Sequence, residues 1–515
     1  MDSNYFIGVD VGTGSARAAV VSSEGKVIDV STCPIKTFNP QLNFYEQSSD
    51  DIWSAVSKVV KTVIKDVPAE KIKGIGFDAT CSLVALDDQG EPVTVSQTGN
   101  DQQNVILWMD HRAEAEADLI NATNDDMLRY VGGKISLEME TPKMLWLKNN
   151  LPNSWSRAKL LFDLPDFLTW RATGSQSRSL CSLVCKWNYK AGPDGKNGWN
   201  LQFFNKIGLS DLSENNWSKI GSRVEAPGNP VGSGLSAKAA SELGLRPGTP
   251  VGTSIIDAHA GGLGMIGCSA PGLICGTSTC HMAVSNKEMM VEGVWGPYYS
   301  AMVPELWLSE GGQSATGKLL DHIIDSHPAT ASIQYLSELL QLMAKKNAIL
   351  DVGFLTKDIH VWPDFHGNRS PLADPRLCGM GKEDLAVLYL ATVQALAYGT
   401  KHIIEALTSS GHKIETVLVC GGLSQNPLFV QTQADVLGLP VLIPLERESV
   451  LVGAAVLGSC AAGVFPSVQD AIRAMGGSAH LTSPSILYHQ RKYEVFKKMV
   501  NDQKSYASIM REVIN

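Results

Sequence analysis

Six residues near the start of the chain have the types and spacing to hold a phosphate. The stretch "IGVDVGTGSARAAVV" (7–21) places Asp10, Gly12, Thr13, Gly14, Ser15 and Arg17 between two apolar runs. Gly12 and Gly14 allow close backbone approach, and exposed N–H groups in such a turn form an anion-binding concavity. Thr13 and Ser15 add hydroxyls, and Arg17 adds a cation. An acid inside an apolar strand is costly unless it meets a cation, a donor or water, so Asp10 needs a partner. Hard Mg²⁺ takes one or two carboxylates and completes its shell with water and phosphate oxygens, which suits this set. The plain alternative is a hairpin with a surface acid.

A second acid, Asp257 in "IIDAHAG", sits where a strand gives way to a helix. It could cap that helix, or act as a base beside a cleft, because ligands of open α/β sheets gather at the carboxyl ends of strands. His259, two residues on, reads as a satisfied, partly buried histidine. In "VLVCGGLSQNPLFVQTQADVLGLPV" (417–441), Gly421 and Gly422 permit flat approach of a ring, and Asn426 either bonds to it or caps the next helix.

Two nucleotide patterns fail on inspection. "GGQSATGKL" (311–319) contains G-x-x-x-x-G-K, but Leu319 occupies the place of the Mg²⁺-binding hydroxyl. "GLGMIG" (262–267) matches G-x-G-x-x-G, yet "DAHAG" separates it from its strand, where a dinucleotide fold needs the glycines at the turn.

The elements that must position these residues alternate between strand and helix. Strand, turn, strand, the turn at "SSEGK" and a strand from Val27 open the chain. "SSDDIWSAVSKVVKTVIKDV" (48–67) follows as an amphipathic helix with Ile52, Val56, Val59, Val60 and Ile64 on one face. "KIKGIGFDATCSLVALDDQG" (71–90) gives strands around a polar loop, and residues 186–200 read as an exposed loop or insertion. The alternation indicates an α/β architecture. "VDVGTGSARAAVV" (9–21) is echoed by "LICGTSTCHMAVS" (273–285): aligning their Gly-Thr pairs sets Ile274 opposite Asp10 and His281 opposite Arg17. The echo points to a duplicated domain and strengthens the phosphate-binding reading. The domain boundary is expected near 262–272, dividing the chain into residues 1–265 and 266–515.

At 515 residues, 44% hydrophobic and 18% charged, the chain has ample core for two or three domains. Its net charge of −9 speaks against nucleic acid or an anionic membrane as the main partner. The run at 451–465, "LVGAAVLGSCAAGVF", is Gly-interrupted and short for a bilayer span. The first residues lack a signal or transit pattern, so the expected compartment is the cytoplasm. Ten cysteines occur without a close metal pattern. "CSLVC" (Cys181, Cys185) and "CGTSTC" (Cys275, Cys280) lack the usual two-residue spacing and a nearby histidine pair, which predicts reduced, mostly buried thiols.

Taken in order, "DVGTGSAR", "GFDATCSLV", "ILWMDHRA", "IIDAHAG", "CGTSTC", "GGQSATG" and "CGGLSQN" resemble the FGGY carbohydrate kinases over nearly the whole chain. That family is related to hexokinase, actin and heat-shock chaperones. "TCSLV" and "HGNRSPLADPR" (366–376) look most similar to its eukaryotic D-ribulose kinases, while Val387 stands where the family often has a polar residue. The resemblance implies two ribonuclease-H-like α/β domains flanking a catalytic cleft, with sugar held mainly by the first and adenosine by the second. It implies ATP and Mg²⁺, with Asp257 as catalytic base and Asp10 and Asp257 as the metal carboxylates, Asp10 through water. Gly12, Thr13, Arg17, Gly276 and Thr277 would face the phosphates, and Gly311, Gly312, Gly421, Gly422 and Asn426 the adenosine.

For the sugar, the resemblance implies Thr80 and Cys81, where glycerol kinases carry Arg-Glu and xylulose kinases Met-His. It adds Trp108, Lys186 of "CKWNY" and Glu310 of "SEGGQS". Lys186 precedes Trp187 directly, where bacterial L-ribulose kinases have Lys-x-Trp. Asp110 and Arg112 could touch ligand or brace one another. The implied reaction is phosphorylation of a ketopentose, D-ribulose first, with L-ribulose, ribitol and D-xylulose as alternatives. A reading from another class is an actin-like or chaperone-like ATPase without a sugar. A homodimer is left open.

Overall fold

The computed structural model describes residues 4–265, 272–275, 279–327, 332–346, 351–357, 359–363, 385–485 and 488–512. The first sheet contains β1 (Tyr5–Val11), β2 (Ser15–Ser22), β3 (Val27–Pro34), β4 (Ile72–Ala79) and β5 (Ile255–Ile256), in the order β5-β4-β1-β2-β3. The first three strands form an antiparallel meander, and β4 and β5 run parallel to β1. α1 (Ser49–Val63) begins at Ser48, whose side chain accepts from the Asp51 N–H. It buries Ile52, Val56, Val59 and Val60, the face its periodicity predicts.

The second sheet contains β6 (Gly272–Cys275), β7 (Thr279–Ser285), β8 (Trp295–Tyr299), β9 (Trp307–Gln313), β10 (Val417–Cys420), β11 (Val441–Pro444) and β12 (Ala479–Thr482), ordered β8-β9-β7-β6-β10-β11-β12. Its five central strands repeat the order and strand directions of the first sheet, with an antiparallel strand added at each edge. The chain is thus a duplicated α/β fold, two ribonuclease-H-like domains flanking a cleft.

The two hairpins differ in register from the Gly-Thr alignment. Asp10 pairs with Arg17 across the first, but Ile274 pairs with Cys280 and His281 with Leu273 across the second. The last pairs are Val11–Ala16 in the first hairpin and Cys275–Thr279 in the second, so one residue fewer separates the paired ends and the cross-strand partners shift by one.

The helices that carry or brace functional side chains are α2 (Glu140–Asn150), α3 (Leu180–Lys186), α4 (Asp257–Met265), α5 (Leu385–Ser409), α6 (Pro427–Leu437), α7 (Ser449–Ala461) and α8 (His489–Glu512). The apolar run at 451–465 forms most of α7, and α7 crosses from the second half of the chain to lie on the first sheet. A Cβ at Gly8 or Gly76 would fall 2.0 Å from the Leu451 carbonyl oxygen or 1.9 Å from that of Ala454. Only glycine lets backbone meet backbone so closely. The core under the first sheet therefore includes Leu451, Val456 and Leu457 beside Phe6 and Ala19. Among the described residues, no helix is long and apolar enough to cross a membrane.

Both dismissed nucleotide patterns have structural explanations. The glycines of "GLGMIG" that are described, Gly262 and Gly264, lie inside α4 rather than at a strand-to-helix turn. Leu319 is 2% exposed and packs in the second core. The loop at 186–200 needs correction: residues 193–197 are exposed, but Lys186 and Trp187 are buried at the end of α3.

Candidate active site

Three aspartates meet at the carboxyl ends of adjacent strands. Asp10 on β1 lies in register with Asp78 on β4, Asp78 pairs with Ile255 on β5, and Asp257 follows β5 as the first residue of α4. Asp78 is fully buried, and no N–H or O–H donates to either of its carboxylate oxygens. Burial, reinforced by the charges of Asp10 and Asp257, pushes its pKa well above the usual carboxylate range. A protonated Asp78 can share its proton with Asp10.

Asp10, 5% exposed, accepts from Arg17 Nε at 2.9 Å and Nη2 at 2.6 Å, while Arg17 Nη1 donates to Glu448 at 2.7 Å. Burial works against the Arg17 charge, but Asp10 and Glu448 outweigh it and its pKa rises. The guanidinium expected at the phosphates is thus engaged by two carboxylates, because the hairpin register sets Arg17 directly across from Asp10. The Asp257 Oδ1 accepts from the Ala258 N–H at 2.7 Å, and the residue remains partly exposed.

The glycine turn and the polar loop after β4 are tied together. Gly12 donates to the Ser15 carbonyl at 3.0 Å, and Thr80 donates its N–H to Val11. Trp108 Nε1 donates to Thr13 Oγ1 at 3.0 Å, and its backbone N–H donates to Ser82 Oγ. Trp108 therefore spans from the turn to the loop bearing Thr80 and Cys81, both buried. Asp110 and Arg112 brace one another: Arg112 Nε and Nη2 donate to Asp110 at 2.8 and 2.7 Å, and Nη2 also reaches Glu46. The Arg112 guanidinium sits against both Phe44 and Trp146, whose rings meet edge to face.

Beyond Cys81 lies a second buried polar group, of mixed charge. Lys186 Nζ is 3.9 Å from Glu310 Oε1 and 4.3 Å from the Trp295 ring centroid. Glu310 Oε2 is 3.5 Å from His259 Nε2. The two residues expected from distant motifs, Lys186 and Glu310, are brought together from α3 and β9. On α2, Glu140 and Lys143 are fully buried and 3.5 Å apart, and burial lifts the Glu140 pKa to about 7. Asp163 accepts from Trp187 Nε1 at 2.8 Å. The charges of Lys186, Asp163, Glu140 and Lys143 all act on Cys81, whose thiol burial pushes up.

The expected adenosine residues divide. Gly311 and Gly312 on β9 line a cavity of about 350 Å³ together with Gly399, Ile403 and Phe496. Gly421, Gly422 and Asn426 form the β10–α6 turn and do not line it. Gly421 has φ +84°, and a Cβ at Gly422 would meet open space. Asn426 caps α6, accepting from the Leu428 and Phe429 N–H groups, and donates to Tyr389 at 2.8 Å. Gly276, Thr277 and the segment 366–376 lie outside the described residues.

Asp78, Glu140, Lys143 and Glu448 escape the reading of the sequence. Asp78 carries the same signal as Asp10, an acid in an apolar, Gly-containing strand. Glu140 and Lys143 interrupt the apolar "METPKMLWL" with two charges one helical turn apart. The arrangement can hold cationic and phosphate chemistry at the aspartates and hydroxyl groups at the mixed-charge group.

Two models of the FGGY family of carbohydrate kinases match the chain, the N-terminal domain over residues 5–264 and the C-terminal domain over residues 272–462. An FGGY carbohydrate kinase domain-containing protein of Homo sapiens is 51% identical over 547 residues, covering 99% of this chain and 98% of that protein. A D-ribulokinase of Saccharomyces cerevisiae is 40% identical over 525 residues, covering 91% of this chain and 73% of that protein. Among solved structures, a xylulose kinase from Rhodospirillum rubrum has the same fold at a TM-score of 0.74, with 19% identity over 99% of each chain.

Proposed function

This chain belongs to the FGGY family of carbohydrate kinases, and from that premise we propose that it transfers the γ-phosphoryl group of ATP to the 5-hydroxyl of D-ribulose. The observation that carries the reading is the convergence of Asp10, Asp78 and Asp257 at the strand ends. The choice of ketose is supported by the relative named a D-ribulokinase. It is also supported by Thr80 and Cys81, which replace the Arg-Glu and Met-His pairs of other substrate classes.

The ketose lies between the Cys81 loop and the Lys186–Glu310 pair, its hydroxyls exchanging water for charged partners. Trp108 packs against it while holding Thr13. Asp257 accepts the proton of the 5-hydroxyl as that oxygen bonds to the γ-phosphorus and the bond to the β,γ-bridging oxygen breaks, leaving ADP. Such general-base assistance contributes about 10²–10⁴-fold. The Gly12–Thr13 and Gly276–Thr277 turns receive the phosphates, and Gly311, Gly312, Gly421, Gly422 and Asn426 receive adenosine. Arg17, held by Glu448, orients Asp10.

The aspartates fit a hard divalent cation. All their donors are oxygen, Asp78 takes no donor, and Asp10 is ion-paired to Arg17. Asp10, through water, and Asp257 would hold Mg²⁺, which supplies positive charge to the phosphate oxygens. Closure of the two domains keeps water from taking the phosphoryl group.

Initial rates with ATP and D-ribulose, L-ribulose, ribitol, D-xylulose or glycerol test the proposal. D-ribulose should have the highest kcat/KM, and ATP turnover without sugar should be negligible. A preference for glycerol, or turnover indifferent to sugar, overturns it.

A further inference from the structure

The cysteine spacing in "CSLVC" does not resemble a metal motif, but the fold supplies what the local sequence lacks. Cys181 and Cys185 are four residues apart on α3, one helical turn, and face His259 of α4. The two sulfurs and an imidazole nitrogen all lie within 4.8 Å of one another, and the three residues are fully buried. Cys185 Sγ is 3.6 Å from His259 Nε2, and the same nitrogen is 3.5 Å from Glu310 Oε2. Tetrahedral bonds of about 2.3 Å to sulfur and about 2.0 Å to nitrogen or oxygen put neighbouring donors roughly 3.3–3.8 Å apart. The Cys185–His259 separation falls in that range without moving the backbone, while Glu310 lies beside the His259 nitrogen but outside the mutually close three.

We propose that Cys181, Cys185 and His259 hold Zn²⁺ or a similarly thiophilic divalent cation, with the Glu310 carboxylate turning in from beside His259 to become the fourth ligand. Thiolate and imidazole donors select such ions over Mg²⁺, so the site is chemically separate from the aspartates in the same cleft. Three ligands come from the first domain and one from β9 of the second, so the bound ion ties the domains together across the sugar-binding region. Each coordinating thiol surrenders its proton on binding, which makes capture tighter as pH rises. Bound Zn²⁺ also removes Glu310 from the sugar, making the ion a competitive inhibitor towards ketose. That last consequence rests on the placement of Glu310 at the substrate, whereas the binding site stands on Cys181, Cys185 and His259.

Co²⁺ titration of the metal-free full-length protein reads the site directly. One equivalent should give tetrahedral visible bands and a thiolate charge-transfer band, both abolished in Cys185→Ser and weakened in Cys181→Ser. Because a buried serine could disturb folding, the unaltered protein supplies a second readout. Stoichiometric Zn²⁺ should slow alkylation of Cys181 and Cys185, mapped by mass spectrometry, at least tenfold, and a chelator should restore it. Absence of the thiolate band, its survival in both variants, or alkylation indifferent to Zn²⁺ overturns the site. For inhibition, the Zn²⁺ concentration that halves activity should rise with ketose concentration and increase at least tenfold in Cys185→Ser. Equal inhibition of that variant overturns the inhibitory role. A chain that phosphorylates none of the sugars but still shows the thiolate band would refute the kinase reading and leave the metal site intact.

Discussion

The two buried polar groups of the cleft solve opposite electrostatic problems. At the strand ends, Asp10, Asp78 and Asp257 gather like charges, and Asp78 answers with a strongly raised pKa. Beyond Cys81, Lys186 with Glu310 and Lys143 with Glu140 alternate in sign. Like charges held together are costly to folding, and a site that maintains them is suited to receive a compensating cation. Alternating charges are largely self-neutralised and suited to a neutral polyol with many hydroxyls. The difference divides labour: damage to the first group should appear in turnover and metal dependence, damage to the second in affinity for sugar.

The largest expected effect breaks the chemistry alone. Asp257→Asn removes the proton acceptor but keeps size and hydrogen-bonding capacity, so kcat should fall about 10²–10⁴-fold with ketose KM nearly unchanged. Steady-state rates on protein with an unaltered circular dichroism melt measure it, and near-native kcat would refute the base assignment. Next comes Asp10→Asn. The Mg²⁺ concentration for half-maximal rate should rise roughly 10–100-fold, the usual cost of losing an outer-shell partner. An unchanged Mg²⁺ titration would remove Asp10 from the metal site.

How much of this division is legible in the sequence depends on whether a residue's partner is local. Asp10 stands out because a glycine turn follows it within two residues, and Asp257 because strand changes to helix there. The duplicated hairpins are visible in the Gly-Thr pairs, although their register is not, since one residue fewer in a turn leaves no mark on the pattern. Lys186 and Glu310 emerge through resemblance, but their 3.9 Å approach depends on how the two domains meet. Asp78 shares the signal of an acid in an apolar strand, but it is missed because no glycine turn follows it and nothing local reveals that β4 will lie beside β1. Glu448 is missed for the same reason: its partner Arg17 is 431 residues away. The run at 451–465 reads as too short for a bilayer span, yet nothing in it hints that Gly458 will press on Ile75 and Gly76 of the first sheet or Gly453 on Ala260 of α4.

A smaller effect sharpens the second group. Lys186→Met keeps the bulk of the stem over Trp295 and deletes the charge. A hydrogen bond to a charged group is worth about 1.5–3 kcal/mol, so ketose KM should rise roughly 10–100-fold while ATP KM stays within about twofold. A matching loss in ATP affinity would show that Lys186 serves the whole cleft rather than the sugar end.

The smallest effect concerns stability. Burial raises the Glu140 pKa from 4.5 to about 7 despite the opposing pull of Lys143, so the native state retains a proton that the unfolded chain loses. In that interval the folded protein binds more protons than the unfolded one, and stability must fall as pH rises from about 4.5 to about 7. Glu140→Gln cannot lose a proton and should flatten this part of the profile, gaining about 1–3 kcal/mol relative to the native protein between pH 5 and pH 8. Asp78 contributes a slope of the same sign, so the variant profile is expected to be shallower rather than level. Thermal melts of both proteins across that range measure the difference. Parallel profiles would mean that Lys143 keeps Glu140 ionised throughout, making the pair a permanent ion pair.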